Sequence, residues 1–401
     1  MRNHARRAAC AGRSPRKATT KGSGPDVCRS PTTSRPARSP CVHWSLPQVL
    51  AVNHLVARAC RLAVLVCCAT AAAAAFARPI TRADVLTLYF IDAEGGQATL
   101  IVAPQGESLL VDTGYGGRRG DSDRIIEAMR DAGISRIDDL VITHFHVDHI
   151  GGFVELASRV PIGSVYDHGG IGVPDDEEMR AAFEQYQTVR RRLRHSQPRV
   201  GRRLPFGDGA LTWVSSDTQT LRTSLPWGGR ANPACSDDVP DAEDPFENPR
   251  STGFLLQFGQ FRFLDVGDLT GAPLAALVCP TNLVGPVDLY LLPHHGEEDG
   301  TYPALLDAFA SRSIVINNGA RKGARPDTLD LLHSRAGPAD VWQLHRATAP
   351  EVNNYPDAMI ANLDTSTSHW IKTVAKRDGS FSVTNGRTGE ARSYPPPARA
   401  Q

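Results

Sequence analysis

The sequence predicts an α/β fold, because segments with strand-like and helix-like patterns alternate along the chain from Val85 onward. Its 401 residues could hold two or three average domains, or one elaborated α/β domain with a tail. A hydrophobic fraction of 41% and a charged fraction of 22% lie close to the globular average. These values exclude a wholly disordered, fibrous or polytopic membrane chain.

The first part of the predicted domain is a β-meander followed by strand and helix units. Short apolar runs between turn signals predict the strands Val85–Asp92, Ala98–Ala103, Ser108–Asp112, Asp139–Thr143 and Ser164–Asp167. Apolar residues at helical spacing predict a helix over Asp123–Ala132, with Ser122 as its N-cap. Further helices are expected over residues 150–159 and Asp175–Leu193.

The second part contains a long loop and a further set of strands. Pro, Gly, Asn and Asp are dense in Ser224–Arg250, which predicts a loop, and loops of this length are usually functional or mobile. One helix is expected over Pro303–Phe309. Apolar runs and turn residues predict the strands Leu211–Ser215, Gly253–Phe258, Gln260–Val266, Val287–Leu292, Ser313–Asn317, Trp370–Ala375 and Ser380–Thr384.

The N-terminal region has the pattern of an export signal. Residues 1–50 are rich in Arg, Ser and Pro without apolar periodicity, so we interpret them as disordered and as a mis-assigned start. Residues 51–77 combine a basic flank, an apolar run and the small-residue pattern Ala75-Phe76-Ala77, which predicts a signal peptide cleaved after Ala77. The apolar run is too short for a transmembrane span. We therefore expect an exported protein, periplasmic or secreted, with a domain over residues 78–390 and a tail over residues 391–401.

Charge and cysteine content divide the chain in the same way. Residues 78–401 carry 32 basic and 42 acidic side chains, a formal charge of about −10, which argues against a protein that coats polyanions. Nucleic acid remains the less favoured partner, because the basic run between Arg190 and Arg203 has no interleaved aromatic residues. Only Cys235 and Cys279 lie beyond residue 68, and they could form one disulfide or remain two thiols.

The most informative motif is Thr143-His144-Phe145-His146-Val147-Asp148-His149, which follows a predicted strand and precedes Gly151-Gly152 and a helix. It places three imidazoles and one carboxylate on a single turn. Alternation along the chain puts His144 and His146 on one face, while Asp148 and His149 follow as the chain turns. Nitrogen donors with one carboxylate suit zinc best, and manganese or iron would also fit.

The motif resembles the His-x-His-x-Asp-His signature of the metallo-β-lactamase superfamily. Asp112-Thr113-Gly114, Gly267-Asp268 and Pro293-His294-His295-Gly296 resemble further elements of that superfamily, in the same order. Pro-His-His-Gly, with Asn248 and Ser251 in an Asn-x-x-Ser element, is most similar to the C-terminal hydrolase-like domain of competence DNA-uptake channel proteins.

The resemblance implies a four-layer αβ/βα sandwich and a site for two cations, most simply zinc. In that scheme His144 and His146 bind the first metal and Asp268 bridges both. Asp148, His149 and one histidine of the pair His294-His295 bind the second metal, and the other histidine of the pair faces the substrate; the sequence leaves open which is which, with His295 taken as the ligand. Two cations would lower the pKa of a shared water to near 7, so that hydroxide forms at neutral pH. Asp148, Asp268 and His294 are the expected catalytic residues, and Asp112 is expected to support the ligands from behind.

Two departures from the superfamily pattern affect the predicted site. The strand Leu211–Ser215 ends without the third histidine that most members supply to the first metal, and His168 is the best-placed substitute. Arg321 and Lys322 follow the strand Ser313–Asn317, and at the mouth of a metal site they would suit an anionic substrate.

These observations favour an exported metal-dependent hydrolase that acts on a phosphodiester or another anionic ester. A lactone or amide hydrolase of the β-lactamase type is the first alternative, because fold alone does not decide the substrate. A secreted binding module that kept the fold without turnover is the second alternative. The substrate is expected to be a small molecule or a phosphodiester, and the oligomeric state stays open.

Overall fold

A computed structural model describes residues 84–117, 120–170, 177–235, 242, 245–335, 337 and 339–398. The predictions for residues 1–50 and for the signal peptide over 51–77 lie outside these described residues. Among the described residues, no helix is both long and apolar enough to cross a membrane.

The chain alternates strands and helices in its first part, as its apolar patterning predicts. The elements are β1 (Val85–Phe90), β2 (Thr99–Val102), β3 (Ser108–Val111), α1 (Asp121–Asp131), β4 (Ile137–Val141), α2 (Val147–Ile150), α3 (Phe153–Arg159), β5 (Ile162–Tyr166), α4 (Glu177–Arg190) and β6 (Arg194–Ser196).

The second part adds strands and helices of the same kind and ends in an antiparallel meander. The elements are β7 (Arg203–Phe206), β8 (Gly209–Ser216), β9 (Gln219–Thr220), β10 (Arg230–Ala231), β11 (Gly253–Phe258), β12 (Phe261–Asp265), α5 (Gly271–Ala276), β13 (Thr281–Asn282), β14 (Leu289–Leu291), α6 (Pro303–Phe309), β15 (Ser313–Ile316), α7 (Pro326–Arg335), β16 (Asp340–His345), β17 (Ile360–Asn362), β18 (Ile371–Lys376), β19 (Phe381–Asn385) and β20 (Ala391–Tyr394).

Two large mixed sheets form the framework in the described part of the chain. The first sheet has the order β20-β19-β18-β1-β2-β3-β4-β5-β6. The second has the order β17-β16-β15-β14-β12-β11-β8-β7, with β9 paired to β8. Within each sheet the strands nearest the site run parallel, β3 with β4 and β12 with β14. Parallel neighbours present their C-terminal ends at the same edge, which is where the side chains of the candidate site emerge.

Three apolar clusters define the layers of the fold. One cluster lies between the two sheets and includes Leu88 of β1 and Phe263 of β12. A second packs the outer face of the first sheet against α1, α3 and α4, and includes Ile125 and Phe153. The third packs the second sheet against α5, α6 and α7. The result is a four-layer αβ/βα sandwich, which confirms the predicted fold class.

Strand β1 shows why both faces of these strands must be apolar. Leu86, Leu88 and Phe90 point into the cluster between the sheets, whereas Tyr89 points into the cluster beneath the helices. Residues on a strand alternate between its faces, so a strand covered on both sides is almost continuously apolar. This explains why these strands appear in the sequence as short hydrophobic runs.

Several details differ from the sequence-based expectation. Helix α1 begins at Asp121 after Gly120, which has the left-handed φ of 79°. Ser122, predicted as the N-cap, lies inside the helix and donates its hydroxyl to the carbonyl of Gly152 at 3.3 Å. The first sheet also extends beyond β19. Strand β20, which falls in the predicted tail, pairs with β19, and the ring of Tyr394 stacks on Phe381 at 4.2 Å.

The long segment Ser224–Arg250 is anchored at several of its described residues. Its strand β10 pairs with β13, and the Asn232 side-chain amide donates to the carbonyls of Val278 and Ala304. Cys235 forms a disulfide with Cys279, with Cα atoms 5.7 Å apart, a pairing that the sequence left open. This segment is therefore tied to the second sheet and its helices before it reaches the site.

Candidate metal centre

The histidine-rich turn begins where β4 ends and is fixed from behind by Asp112. The Asp112 carboxylate accepts hydrogen bonds from the Thr143 backbone N–H at 2.8 Å and from the Thr143 hydroxyl at 2.7 Å. Gly267 of the opposite sheet packs on the same threonine, and a Cβ at this position would lie 2.6 Å from the Thr143 Cβ. Only glycine allows that approach, which explains the Gly-Asp pair at this point of the sequence.

Asp268 and the pair His294-His295 reach the site from neighbouring parallel strands. Asp268 follows β12 by three residues, and the two histidines follow β14 closely. His294 and His295 have φ values of 50° and 54°, in the left-handed region that non-glycine residues rarely occupy. Such strain persists only where the surrounding structure enforces it, and it is typical of functional sites.

Four side chains converge into a single buried group of potential metal ligands. Asp148, His149, Asp268 and His295 each offer one donor atom, and these atoms all lie within 4.8 Å of one another. The Nε2 atom of His149 lies 3.1 Å from the Asp268 Oδ2 atom and 3.3 Å from the His295 Nε2 atom. The His295 Nε2 atom lies 3.1 Å from the Asp148 Oδ2 atom. We call these four residues the donor group.

The charges within the donor group favour the binding of a cation. Burial raises the pKa of Asp268, but the charges of His149 and His295 outweigh it and hold this pKa well below its usual range. Burial also raises the pKa of Asp148, and here the charges of Lys322 and His149 outweigh it. Burial lowers the pKa of His149, yet Asp268 and Asp148 raise it well above its ordinary value. Two ionised, buried carboxylates facing imidazole nitrogens create the field that a divalent cation requires.

The donor group fits a divalent transition metal. Two imidazole Nε2 atoms that face each other within 3.3 Å gain little from direct contact, whereas a cation between them would bind both lone pairs. The Oδ1 atom of Asp268 is buried and has no hydrogen-bond partner among the described residues. Buried polar atoms are normally paired, so this oxygen is available to a further ligand. Nitrogen and carboxylate donors together suit zinc, and also iron or manganese.

His144 and His146 lie beside the donor group without belonging to it. The Nε2 atom of His144 is 2.9 Å from the His146 Nδ1 atom and 3.8 Å from the Asp268 Oδ2 atom. Burial and the neighbouring charge of His149 lower the pKa of His144 well below its usual value, which keeps the imidazole neutral. A neutral imidazole is the form that binds metals. The assignment of this pair to a first metal remains a prediction.

Asp112 controls which nitrogen of His149 is available to a metal. The Asp112 Oδ2 atom lies 2.8 Å from the His149 Nδ1 atom, so an Nδ1–H donates to the carboxylate and Nε2 faces the donor group. Burial raises the pKa of Asp112 although His149 opposes the shift. Asp112 therefore lies behind His149, on the side of the ring away from the donor group.

Replacing Asp112 by Asn should weaken metal binding by about 10- to 100-fold, the usual cost of losing a carboxylate behind a histidine ligand. Competition with a chromogenic chelator measures this affinity directly. Asp138→Asn is the matched control, because Asp138 binds Ser108 at the opposite end of β3 from Asp112. Unchanged affinity in D112N would show that His149 is oriented by other contacts.

His168 is held by a carboxylate that the sequence did not single out. Its Nε2 atom lies 2.9 Å from the Glu247 Oε1 atom, and the same oxygen accepts the Phe145 N–H at 3.0 Å. The His168 ring packs on the Phe145 ring at a centroid distance of 4.4 Å. His168 is thus beside the histidine turn but outside the donor group, and its role as a metal ligand is still a prediction. Glu247 lies just before the Asn248–Ser251 element, and nothing local in the sequence marks it as a partner of His168.

His294 lies at the edge of the donor group. Its Nδ1 atom is 2.6 Å from the Asp299 Oδ1 atom, and its Nε2 atom is 3.3 Å from the Asn248 Nδ2 atom. Burial lowers the pKa of His294, but the hydrogen bond to Asp299 and the charge of Asp268 raise it to about 9. Ser251, the other residue of the predicted Asn-x-x-Ser element, is buried, and its carbonyl accepts from the Ser215 hydroxyl. Asp299 was missed because the pattern Glu297-Glu298-Asp299 resembles an exposed acidic turn.

Of the two predicted cationic residues after β15, Lys322 reaches the donor group. Its Nζ atom lies 2.6 Å from the Asp148 Oδ2 atom, and the nearby carboxylates Asp148 and Asp268 outweigh burial and raise the pKa of Lys322. Gly95 packs against Lys322, and a Cβ on that glycine would come within 2.8 Å of the lysine Cβ. Arg321, by contrast, is exposed.

Comparison with known proteins agrees with the fold and the motif. The sequence profile of the Metallo-beta-lactamase superfamily matches residues 91–231, which include the histidine turn but end before Asp268 and His295. No curated protein matches the chain.

Solved structures with a similar arrangement share little sequence with this chain. The metallo-beta-lactamase fold protein YhfI from Bacillus subtilis is 14% identical, with a TM-score of 0.39, over 64% of this chain and 96% of that chain. Igni18, a metallo hydrolase from Ignicoccus hospitalis, is 15% identical, with a TM-score of 0.36, over 66% of this chain and 96% of its own. CmlA, a diiron beta-hydroxylase from Streptomyces venezuelae, is 17% identical, with a TM-score of 0.33, over 59% of this chain and 45% of its own. Residues 91–231 therefore match the Metallo-beta-lactamase superfamily, and the buried donor group draws Asp148 and His149 from within that match and Asp268 and His295 from beyond it.

Proposed function

We propose that this protein is an exported metal-dependent hydrolase that acts on a phosphodiester or another anionic ester. The observation that carries the proposal is the donor group, whose four buried ligand atoms lie within 4.8 Å of one another. A divalent cation held there would lower the pKa of a water molecule and stabilise negative charge on an oxygen of the substrate.

Asp148, His149, Asp268 and His295 would hold one cation, and zinc is the metal that we propose, with manganese or iron as alternatives. His144 and His146 would contribute to a second cation site that shares Asp268, supported by the 3.8 Å separation between His144 Nε2 and Asp268 Oδ2. The Nε2 atom of His168 bonds Glu247 and its Nδ1 atom has no partner among the described residues, and its participation as a metal ligand stays a prediction.

The remaining side chains would position groups and supply a proton. Lys322 holds Asp148 by a charged hydrogen bond and so fixes its orientation within the donor group. The Nδ1 atom of His294 lies 2.6 Å from the Asp299 Oδ1 atom, at the edge of the donor group. We propose that His294 donates a proton to the leaving oxygen of the substrate, while Asp299 orients its ring.

The choice of an anionic ester depends on the charges near the donor group. Lys322 is only partly buried, and a negatively charged substrate would find this ammonium group next to the ligands. An uncharged lactone would gain less from this cation. The closer relationship to the hydrolase-like domain of competence DNA-uptake channel proteins is part of this proposal and rests on the Pro293–Gly296 and Asn248–Ser251 motifs alone.

Export is proposed from the signal pattern over residues 51–77 and gains support from the Cys235–Cys279 disulfide. Disulfides persist in oxidising compartments and are rare in the cytosol. N-terminal sequencing of the protein recovered from outside the cytoplasm should give a chain that starts at Arg78. Recovery of a chain that still carries residues 1–50 would contradict both the cleavage site and the mis-assigned start.

The test of the hydrolase proposal is metal analysis combined with a generic substrate. We expect the purified protein to contain at least one transition metal ion per chain and to hydrolyse bis(4-nitrophenyl) phosphate. A chelator should abolish this hydrolysis. Added zinc should restore it, because the fold already brings the four ligand side chains together.

Parallel assays with a chromogenic β-lactam and a simple lactone separate the alternatives. Turnover of these substrates without turnover of the phosphodiester would replace the proposed substrate class. Less than one metal ion per chain, together with no hydrolysis of any of the three substrates, would leave the secreted binding module.

A further inference from the structure

A polar surface cavity of about 450 Å³ is lined in part by His168, whose ring packs on Phe145 of the histidine turn. One wall is formed by residues 197–201, between β6 and β7, and the other by residues 219–223, at and after β9. Two arginines line it, Arg199 on the first wall and Arg222 on the second. His168, which is 1% exposed, forms part of its buried lining.

Contacts through His168 connect this cavity to the metal centre. The His168 ring packs on Phe145, which lies in the sequence between His144 and His146. Its Nε2 atom bonds Glu247, and the next residue along the chain, Asn248, contacts His294. The Nδ1 atom of His168 has no hydrogen-bond partner among the described residues although it is buried. Buried polar atoms are normally paired and His168 also lines the cavity, so this nitrogen is available to a ligand bound nearby.

The charge of the cavity is positive, whereas the chain from residue 78 onward is acidic overall. Arg199 and Arg222 both contribute a guanidinium group, and Arg222 contacts the Gln219 amide at 3.3 Å, not a carboxylate. Asp217 is the acidic residue in the lining, and Arg250 neutralises it at 2.6 Å. Residues 78–401 carry a formal charge of about −10, so a cationic cavity of this kind would focus anions locally.

The size and chemistry of the cavity define the group that it can hold. Guanidinium groups match the oxygens of phosphate with paired hydrogen bonds. A volume of about 450 Å³ is within the range for small-molecule sites and too small for a folded nucleic acid. We propose that this cavity binds a phosphate group of a small-molecule substrate through Arg199 and Arg222, while the ester to be cleaved lies at the donor group. The assignment of the bound phosphate to a substrate rests on the proposed hydrolase function. The binding of phosphate by this cavity does not rest on it.

The test uses the full chain treated with a chelator, so that phosphate cannot bind a metal. Titration calorimetry with inorganic phosphate is carried out on the wild type, on R199A/R222A and on the control R202A/R203A. Both double variants remove two positive charges from neighbouring exposed positions, but Arg202 and Arg203 do not line the cavity. We expect the wild type and the control to bind equally and R199A/R222A to bind at least tenfold more weakly.

Three outcomes would overturn the proposal: equal phosphate affinity in all three proteins, absence of binding in the wild type, or an equal loss of affinity in both double variants. The four arginines are exposed, so neither double variant should unfold, and thermal melting verifies this. In the metal-loaded protein R199A/R222A should raise KM for a phosphorylated ester at least tenfold with little change in kcat. If phosphate binding follows the expectation but no protein hydrolyses any ester, the hydrolase proposal fails and the phosphate cavity remains.

Discussion

Substituting Asp268 by Asn should lower hydrolysis by about 10³-fold or more and release the bound metal. The Asp268 Oδ2 atom lies 3.1 Å from the Nε2 atoms of both His149 and His295, so this one carboxylate faces two other ligands. Asparagine has almost the same shape but no charge. Loss of that charge removes several kcal/mol of stabilisation of the cation, and each 1.4 kcal/mol is a factor of ten in rate. Metal content by mass spectrometry and hydrolysis of bis(4-nitrophenyl) phosphate measure the two effects.

Asp265→Asn is the control for this experiment. Asp265 is also a buried aspartate at the end of β12, but it accepts hydrogen bonds from the Gln97 amide at 2.9 Å and from the Gly267 N–H at 3.0 Å. Burial raises its pKa to about 7, so the site already tolerates an uncharged side chain at this position. D265N should therefore keep its metal. If D268N keeps full metal content and full rate, the donor group is not the catalytic centre.

The histidine-rich motif could be recognised from the sequence because it is local. His144, His146, Asp148 and His149 lie within six residues after a strand, and their types alone indicate metal ligands. The late elements at Asp268 and His295 were placed by their resemblance to a known order of motifs. The structure brings Asp148, His149, Asp268 and His295 together, across as many as 147 residues. The principal strands were predictable for a related reason, since burial on both faces leaves a continuous apolar run.

Partners that meet only in the folded protein could not be predicted. Lys322 contacts Asp148 across 174 residues, and His168 contacts Glu247 across 79. Which loops meet at a sheet edge depends on strand order, and local patterning does not contain that order. The same limit applies to β20, whose residues Ala391–Tyr394 are mostly exposed and polar, and which is held by pairing with β19. Its pairing, not its hydropathy, defines it as a strand.

The disulfide that anchors the segment before Glu247 should contribute strongly to the stability of the fold. Cys235 lies on this segment, Cys279 follows α5, and the disulfide between them closes a loop of 44 residues in sequence separation. Both cysteines pack against the cluster beneath the second sheet. A covalent link of this length restricts the unfolded chain, and its entropic contribution to the free energy of unfolding is about 4 kcal/mol.

Replacing both cysteines by Ala should therefore lower the free energy of unfolding by about 2–4 kcal/mol and the melting temperature by about 3–6 °C. Thermal melting followed by circular dichroism gives the shift. A reductant should lower the melting temperature of the wild type toward that of C235A/C279A. It should leave the double variant unchanged, because the other six cysteines of the chain all precede the proposed cleavage site. Equal melting of the two proteins without reductant would show that the bridge does not form.

The same variant separates the stability of this segment from the chemistry of the site. Asn232 still bonds the carbonyls of Val278 and Ala304, and β10 still pairs with β13, so the segment keeps two anchors without the disulfide. Glu247 and Asn248 should then remain at His168 and His294, because their contacts lie at the far end of the segment. We expect C235A/C279A to retain its metal and its rate at 25 °C. A loss of rate in a folded, metal-loaded double variant would mean that the disulfide also positions the residues that contact His168 and His294.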